Sequence, residues 1–246
     1  MKTYRADLHI HTVLSPCAEI EMLPPLIVQE ATSLGIQIIA ITDHNASAND
    51  ESVQKAALGR DLIVLPGMEL QTREEIHVLC LFDTLDQIQA FQSWVDASLP
   101  DMENNPEFFG VQLVVDADGE LVKEEKRLLL TSANVSIEQA FQRTNELGGL
   151  LIPAHVDRKG FGLIETLGLV PQDVQIEALE ISRHMTPERA YQTFSQIQGY
   201  PLVQNGDAHL LEDLLGATYL SIETPSIAEI RLALGSKCGR YFSIVR

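Results

Sequence analysis

The sequence is poor in cysteine, in basic residues and in long apolar runs, and each shortage removes a class of protein. Three cysteines (Cys17, Cys80 and Cys238) cannot all pair and show no CxxC spacing, which argues against a disulfide framework. No apolar stretch approaches the roughly 20 residues of a membrane span, and the opening MKTYRADLHI lacks the apolar core of a secretion signal, so a cytoplasmic protein with no membrane partner is expected. Only 17 lysines and arginines face 35 carboxylates, leaving a net charge of −18. Such a surface repels phosphate backbones, which argues against long nucleic acid as a partner. A small anionic substrate stays compatible, because bound divalent ions invert the local sign of a site. There is no internal repeat, low-complexity tract or Pro/Gly/Ser-rich linker.

The 246 residues that remain to be organised are 45% hydrophobic and 21% charged, ordinary values for one globular α/β domain. Segments of strand character fall at Tyr4 to Ile10, Gln37 to Thr42, Leu62 to Leu65, Ile76 to Phe82, Leu150 to Ala154, Ile176 to Ile181, Pro201 to Gln204 and Ala217 to Ile222. Amphipathic helical stretches lie between most of them, such as Pro24 to Leu34, stopped by Gly35, and Ser136 to Leu147, stopped by Gly148 and Gly149. Strands alternating with helices predict parallel pairing, in a barrel or a doubly wound sheet. Phe108 to Leu130 departs from this rhythm and reads as a β-hairpin insertion turning at Asp118 and Gly119.

Six of the seven histidines stand beside a strand end or a turn. In DLHIHT, alternation along a strand sends His9 and His11 to one face, where they can share a metal. His44 follows ITD, Glu69 follows the PG of LPGMEL, His77 opens IHVLCLF, His155 follows LLIPA, and Asp207 and His209 form DAH after LVQN. A lone HxH is more often an accident of surface or core, and a DH or GxE alone is weaker still. Five such elements at strand ends weigh differently, because strand ends converge on one mouth of a barrel. Their nitrogen and oxygen donors suit zinc, manganese, iron or magnesium.

The order DLHIHT, ITDHN, LPGMEL, EIHVLCL, PAHVDR, NGDAH resembles the PHP (polymerase and histidinol phosphatase) family over residues 7 to 209, and the short segment between His77 and His155 is most similar to its small stand-alone members. The resemblance implies a distorted (β/α)7 barrel, two or three divalent ions (zinc, manganese or iron) at its mouth, and hydrolysis of phosphate esters. It implies a first ion on His9, His11, Glu69 and Asp207, a second on Glu69, His77 and His155, and a third on His44 and His209. The family's remaining ligand for the third ion falls in HTVLSPCAEIE, where Pro16 and Cys17 occupy the alternative positions and Glu19 is an oxygen-bearing substitute. Cys17 is readable either as a small packed residue or as a thiolate ligand favouring zinc or iron.

Asp7 and Asp43 flank ligand histidines and are expected to accept their second ring N–H. Arg158 matches a family arginine that grips phosphate oxygens. Lys159 and Arg183 read as solvated, His184 as a pocket-rim residue, and Cys80, Cys238 and Trp94 as packing. A hydroxide shared by the first two ions is the expected nucleophile, with no covalent intermediate, since no GxSxG motif is present. The expected substrate is a small phosphomonoester or a nucleotide or oligonucleotide phosphate. Histidinol phosphate is the runner-up, followed by an exonuclease, a non-catalytic metal-binding module and a C–N amidohydrolase, the last disfavoured by PGME in place of a bridging lysine.

Overall fold

The computed structural model describes residues 1–245. Its strands are β1 (Lys2–Ile10), β2 (Ile38–Ile41), β3 (Ile63–Gln71), β4 (His77–Leu81), β5 (Leu113–Val115), β6 (Leu121–Glu124), β7 (Leu150–Pro153), β8 (Leu179–Ile181), β9 (Leu202–Gln204), β10 (Thr218–Ile222) and β11 (Tyr241–Ile244). Seven of them form one curled sheet in the order β11-β10-β1-β2-β3-β4-β7, and β8 pairs with β9 in parallel. That pair fills the gap left by the sheet. Val156, just after β7, donates its N–H to the carbonyl of Glu180 in β8, while Gln204 in β9 donates to Thr218 Oγ1 in β10. The result is the distorted barrel.

Among the strands of the described residues, β1–β2–β3 and β8–β9 pair in parallel, whereas β3–β4, β4–β7, β1–β10 and β10–β11 are antiparallel. Between β3 and β4 the reason is length, because residues 72–76 are too few for a crossover helix. The reversal matters to the site. It lays His77, the first residue of β4, opposite Gln71, the last of β3, so the start of one strand shares a mouth with the ends of its neighbours.

The helices begin and stop for local reasons. Pro24 and Pro25 open the helix Pro24–Ser33, where a missing N–H costs nothing. Capping boxes, Thr84 with Gln87 and Ser136 with Gln139, open Leu85–Asp96 and Ile137–Glu146. Alternating strand residues then divide into two layers. Ala6, Leu8, Ile38, Ala40, Leu79, Ile152 and Val203 fill the barrel interior over the helix Ile227–Leu234, whereas Met68, Leu70, Val78, Cys80 and Leu151 pack outward. Burying one such aliphatic side chain stabilises the fold by about 1.5–3 kcal/mol.

A bulge in β1 breaks this alternation where the site begins. Asp7 pairs with Ile39, but Ile10 pairs with Ile41, so β1 carries one residue more than β2 over that stretch. Before the bulge Ala6 and Leu8 face the interior, and after it Ile10 joins the outer layer with Ile39 and Ile41. His9 and His11 thereby face the barrel mouth, and Asp7 is left on the other side.

β5 and β6 form the hairpin within Phe108 to Leu130, turning through Gly119 at φ 86°, with Leu121 and Val122 exposed. Among the described residues no helix is long and apolar enough to cross a membrane.

Candidate metal centre

Eight donor side chains meet at the mouth. His9 and His11 come from β1 and the residue after it, His44 from the turn after β2, Glu69 from β3 and His77 from β4. His155 follows β7, and Asp207 and His209 follow β9. The Nε2 atoms of His9 and His11 are 3.1 Å apart. Glu69 lies 3.3 Å from His9 Nε2 through Oε1 and 3.4 Å from His11 Nε2 through Oε2; Asp207 Oδ1 lies 3.3 and 3.5 Å from the same nitrogens. Four donors about 2.1 Å from a common centre in a tetrahedron are separated by about 3.4 Å. This quartet is therefore spaced as a ligand set. His44, Glu69 and His77 form a second cluster and His11, His44 and His209 a third, the donor atoms of each within 4.8 Å of one another. His155 Nε2 is 3.1 Å from Glu69 Oε1, so it lies beside the second.

The protons support the same conclusion. His9 Nδ1 faces Glu180 at 3.0 and 3.2 Å, His11 Nδ1 faces Ser15 Oγ at 2.9 Å, and His209 Nδ1 faces the carbonyl of Asp207 at 3.0 Å. Ser15 donates its own proton to Asp43 at 2.7 Å, so its oxygen accepts from His11. The hydrogen-bond network thus places a ring hydrogen of each on Nδ1, so that the neutral imidazole presents Nε2 as a lone pair. His44 Nδ1, Glu69 Oε2, His77 Nε2 and His155 Nδ1 are also buried without a hydrogen bond, although His44 Nδ1 sits 2.9 Å from Glu69 Oε2. Each orphan of this kind costs about 1–3 kcal/mol unless something satisfies it, and divalent cations fit that requirement.

Titration of the cluster without cations is uneven. Burial lowers the His9 imidazole, but Glu180, Glu69 and Asp207 outweigh it and hold it well above its usual value. Burial beside His209 and His44 holds His11 well below. His44 is raised to about 10 by Glu69 and Cys17 against the effect of burial, while burial pushes His77 down to about 4 despite Glu69. Burial raises Glu69 and Asp207, yet the surrounding imidazoles bring both well under the ordinary carboxylate range. Protons on His9 and His44 hold the place that metal charge would take.

Two donors stand on strained backbone, His155 at φ 30° and Asp207 at φ 49°. Non-glycine residues in this region cost about 1–3 kcal/mol each and persist where the surroundings fix them. Here Glu180 Oε2 accepts the His155 N–H at 2.9 Å.

The carboxylates beside the histidines act differently from the sequence expectation. Asp7, on the far side of the bulge, accepts N–H groups of Gly206, Leu215 and Gly216 and so anchors the segment carrying Asp207; it meets no imidazole. Asp43 reaches His11 only through Ser15, its remaining bonds going to the N–H and Oγ1 of Thr12. Glu180 is the carboxylate that accepts the second ring N–H of His9. Its signal was a single charge in the apolar strand ALEI; Ser15 carried no signal.

Cys17 faces His44 and His209, and these contacts outweigh burial and lower its thiol to about 6. Pro16 packs its carbonyl on Gly110, and Glu19 lines a separate surface hollow with Glu21 and Glu30. Arg158 pairs with Asp207 at the lip and is half-exposed. Arg183 pairs with Asp213, and His184 is exposed on the rim of an adjoining basin of about 460 Å³. Lys159 is exposed.

Residues 7–151 match the family model of the PHP domain. The chain belongs to that family. This PHP domain is 26% identical over 267 aligned residues to the uncharacterized protein YqxK of Bacillus subtilis strain 168, covering 95% of the chain and 62% of YqxK, so it spans less than two thirds of that relative. The endonuclease Q of Pyrococcus furiosus superposes with a TM-score of 0.71 at 20% identity over 98% of this chain and 58% of that one. A protein provisionally described as a metal-dependent phosphoesterase, from Bifidobacterium adolescentis, gives 0.56 at 18% identity over 83% and 87%. At these identities the likeness is one of fold.

Proposed function

We propose that this PHP domain hydrolyses phosphate esters with two or three divalent cations held by His9, His11, Glu69 and Asp207, by Glu69, His77 and His155, and by His44 and His209 with Cys17. The observation that carries the reading is the convergence of buried nitrogen and oxygen donor atoms at ligand spacing, several of them without a hydrogen-bond partner. Divalent cations at such a site supply Lewis acidity toward phosphoryl oxygens and lower the pKa of water into the neutral range. The chain supplies the rest. Glu180, Ser15 and the Asp207 carbonyl hold three imidazoles in one tautomer, so no proton is lost or turned at the donor atoms. Arg158 stands at the lip, where its guanidinium can leave Asp207 for two oxygens of a phosphate.

The substrate we propose is a small phosphomonoester, or a nucleotide or short oligonucleotide phosphate. The net charge of −18 supports this over a long polyanion, whose field would be opposed everywhere except at the cations. Three free thiols support a reducing, cytoplasmic setting. The test is metal content by mass spectrometry beside hydrolysis of a panel: alkyl and aryl phosphomonoesters, histidinol phosphate, nucleotides, cyclic and linear dinucleotides, and a duplex with an abasic site. Bound metal with turnover of a small ester is expected. Bound metal without turnover of any member favours a non-catalytic module, and absence of bound metal overturns the reading.

A further inference from the structure

Phe161 lies flat on the His77 imidazole, ring centroids 4.4 Å apart and planes 11° from parallel, with 43% of its surface exposed. Its backbone is at φ 60°, a conformation that phenylalanine adopts only when held. Two features hold it: the Phe161 carbonyl accepts the N–H of His77 at 3.0 Å, and Gly162 lets the carbonyl of Arg158 sit where a Cβ would be. The turn from 155 to 162 thus sets His155, Arg158 and Phe161 in fixed relation.

The exposed edge of Phe161 opens on a cleft of about 420 Å³. Its floor is the donor cluster, including Glu69, His77 and Asp207; its walls are Phe109, Leu130 and Phe161, and Arg158 stands at its edge. Cation chemistry alone would be served by a polar hollow. An apolar, aromatic wall beside the phosphate position discriminates by what the phosphate is attached to, and a volume of this size accommodates a nucleoside-sized group.

Resting on the phosphoesterase reading, we infer that Phe161 is a specificity-determining residue of this site, with Phe109 and Leu130 forming a slot for a planar, unsaturated part of the leaving alcohol, such as the base of a departing nucleoside or an aryl ring. The base lies against Phe161 while the ester phosphate meets the donor cluster and Arg158. Stacking of a base on an aromatic side chain is sequence-tolerant, so the slot selects planarity over hydrogen-bonding pattern.

The experiment compares Phe161→Ala, Phe161→Leu and Phe161→Tyr with the unaltered chain, metal-loaded, on adenosine 5′-monophosphate and 4-nitrophenyl phosphate against glycerol 3-phosphate and ribose 5-phosphate. The readout is the ratio of kcat/KM for planar over aliphatic esters, with KM and kcat separated and metal content measured for each variant. Alanine and leucine are expected to lower that ratio about tenfold, mainly through KM, and tyrosine to restore it. An unchanged ratio with activity falling equally on both classes means that Phe161 merely packs His77, and overturns the inference. If the unaltered chain hydrolyses none of the four esters, the phosphoesterase reading is decided separately by the wider panel of esters. Calorimetric binding of adenosine 5′-monophosphate then decides the slot: weaker binding by Phe161→Ala sustains it, and equal binding overturns it.

Discussion

Glu69 lies against five of the imidazoles and has no exposed surface, which makes it the side chain with most to lose by a neutral replacement. Glu69→Gln keeps the volume but removes the charge, and its amide N–H2 would point at lone pairs. It is expected to lower bound metal by at least one ion per chain and to abolish turnover; full metal content by mass spectrometry would contradict this. Glu180→Ala acts one step away, freeing His9 Nδ1 and the His155 N–H together. Loss of such an orienting carboxylate costs about 10–100-fold in metal affinity, so activity should return when metal is raised, as a titration of activity against added metal would show. Cys17 offers a pH prediction. In metal-free protein its thiolate is stabilised by His209 and His44 against burial, with a pKa of about 6 in place of 9.0. Alkylation followed by peptide mass analysis should reach half its maximal rate near pH 6 and be suppressed by added zinc; a midpoint near 9 would remove the special environment.

At the scale of elements, the pairing of β2 with β3 contains a buried carboxylate unrelated to the metals. Asp50, in the first turn of the helix Asp50–Ala56, accepts the N–H of Gly67 at 3.1 Å, and Gly67 has no room for a Cβ against the Ile41 carbonyl. Burial, then the nearby Asp43, raises Asp50 well above its usual value. A carboxyl raised in the fold binds its proton more tightly there than in the unfolded chain, so its contribution to stability falls as pH climbs from 3.8 through the folded value. Asp50→Asn should raise Tm by a few degrees at pH 8 and by less at pH 4; equal shifts at both would show that its charge is not what costs stability. The elements themselves were legible wherever periodicity and stop signals agreed, as in the helix ended by Gly35 and the hairpin turning through Gly119. Strand direction was not legible, because alternation with helices says nothing about the short link between β3 and β4. Nor was the bulge, since one extra residue in β1 leaves no mark in ADLHIHT, and for that reason the role expected of Asp7 belongs to Glu180. The eight donors were legible because metal chemistry restricts residue type at strand ends, whereas Phe161 obeys no such restriction and went unremarked.

For the molecule as a whole, cations at this mouth would tie β1, β3, β4 and the turns after β2, β7 and β9 to one another. A ligand that binds only the folded state at a thousand times its Kd stabilises by about 4 kcal/mol. In a chain of this length that corresponds to a Tm higher by about 10 °C, which scanning calorimetry with chelator and with added zinc or manganese would register. A Tm insensitive to both would place the ions outside the folding equilibrium.

The first cluster draws on residues 9 and 207, nearly two hundred positions apart, and on a bulge and a left-handed backbone site that exist only once the barrel has closed. No short stretch of the newly made polypeptide has the affinity to choose an ion for itself. Recruitment belongs to the finished cavity, so the element recovered with a preparation is a record of which ions that cavity met after folding, and changing the growth medium should change the occupant without changing the fold.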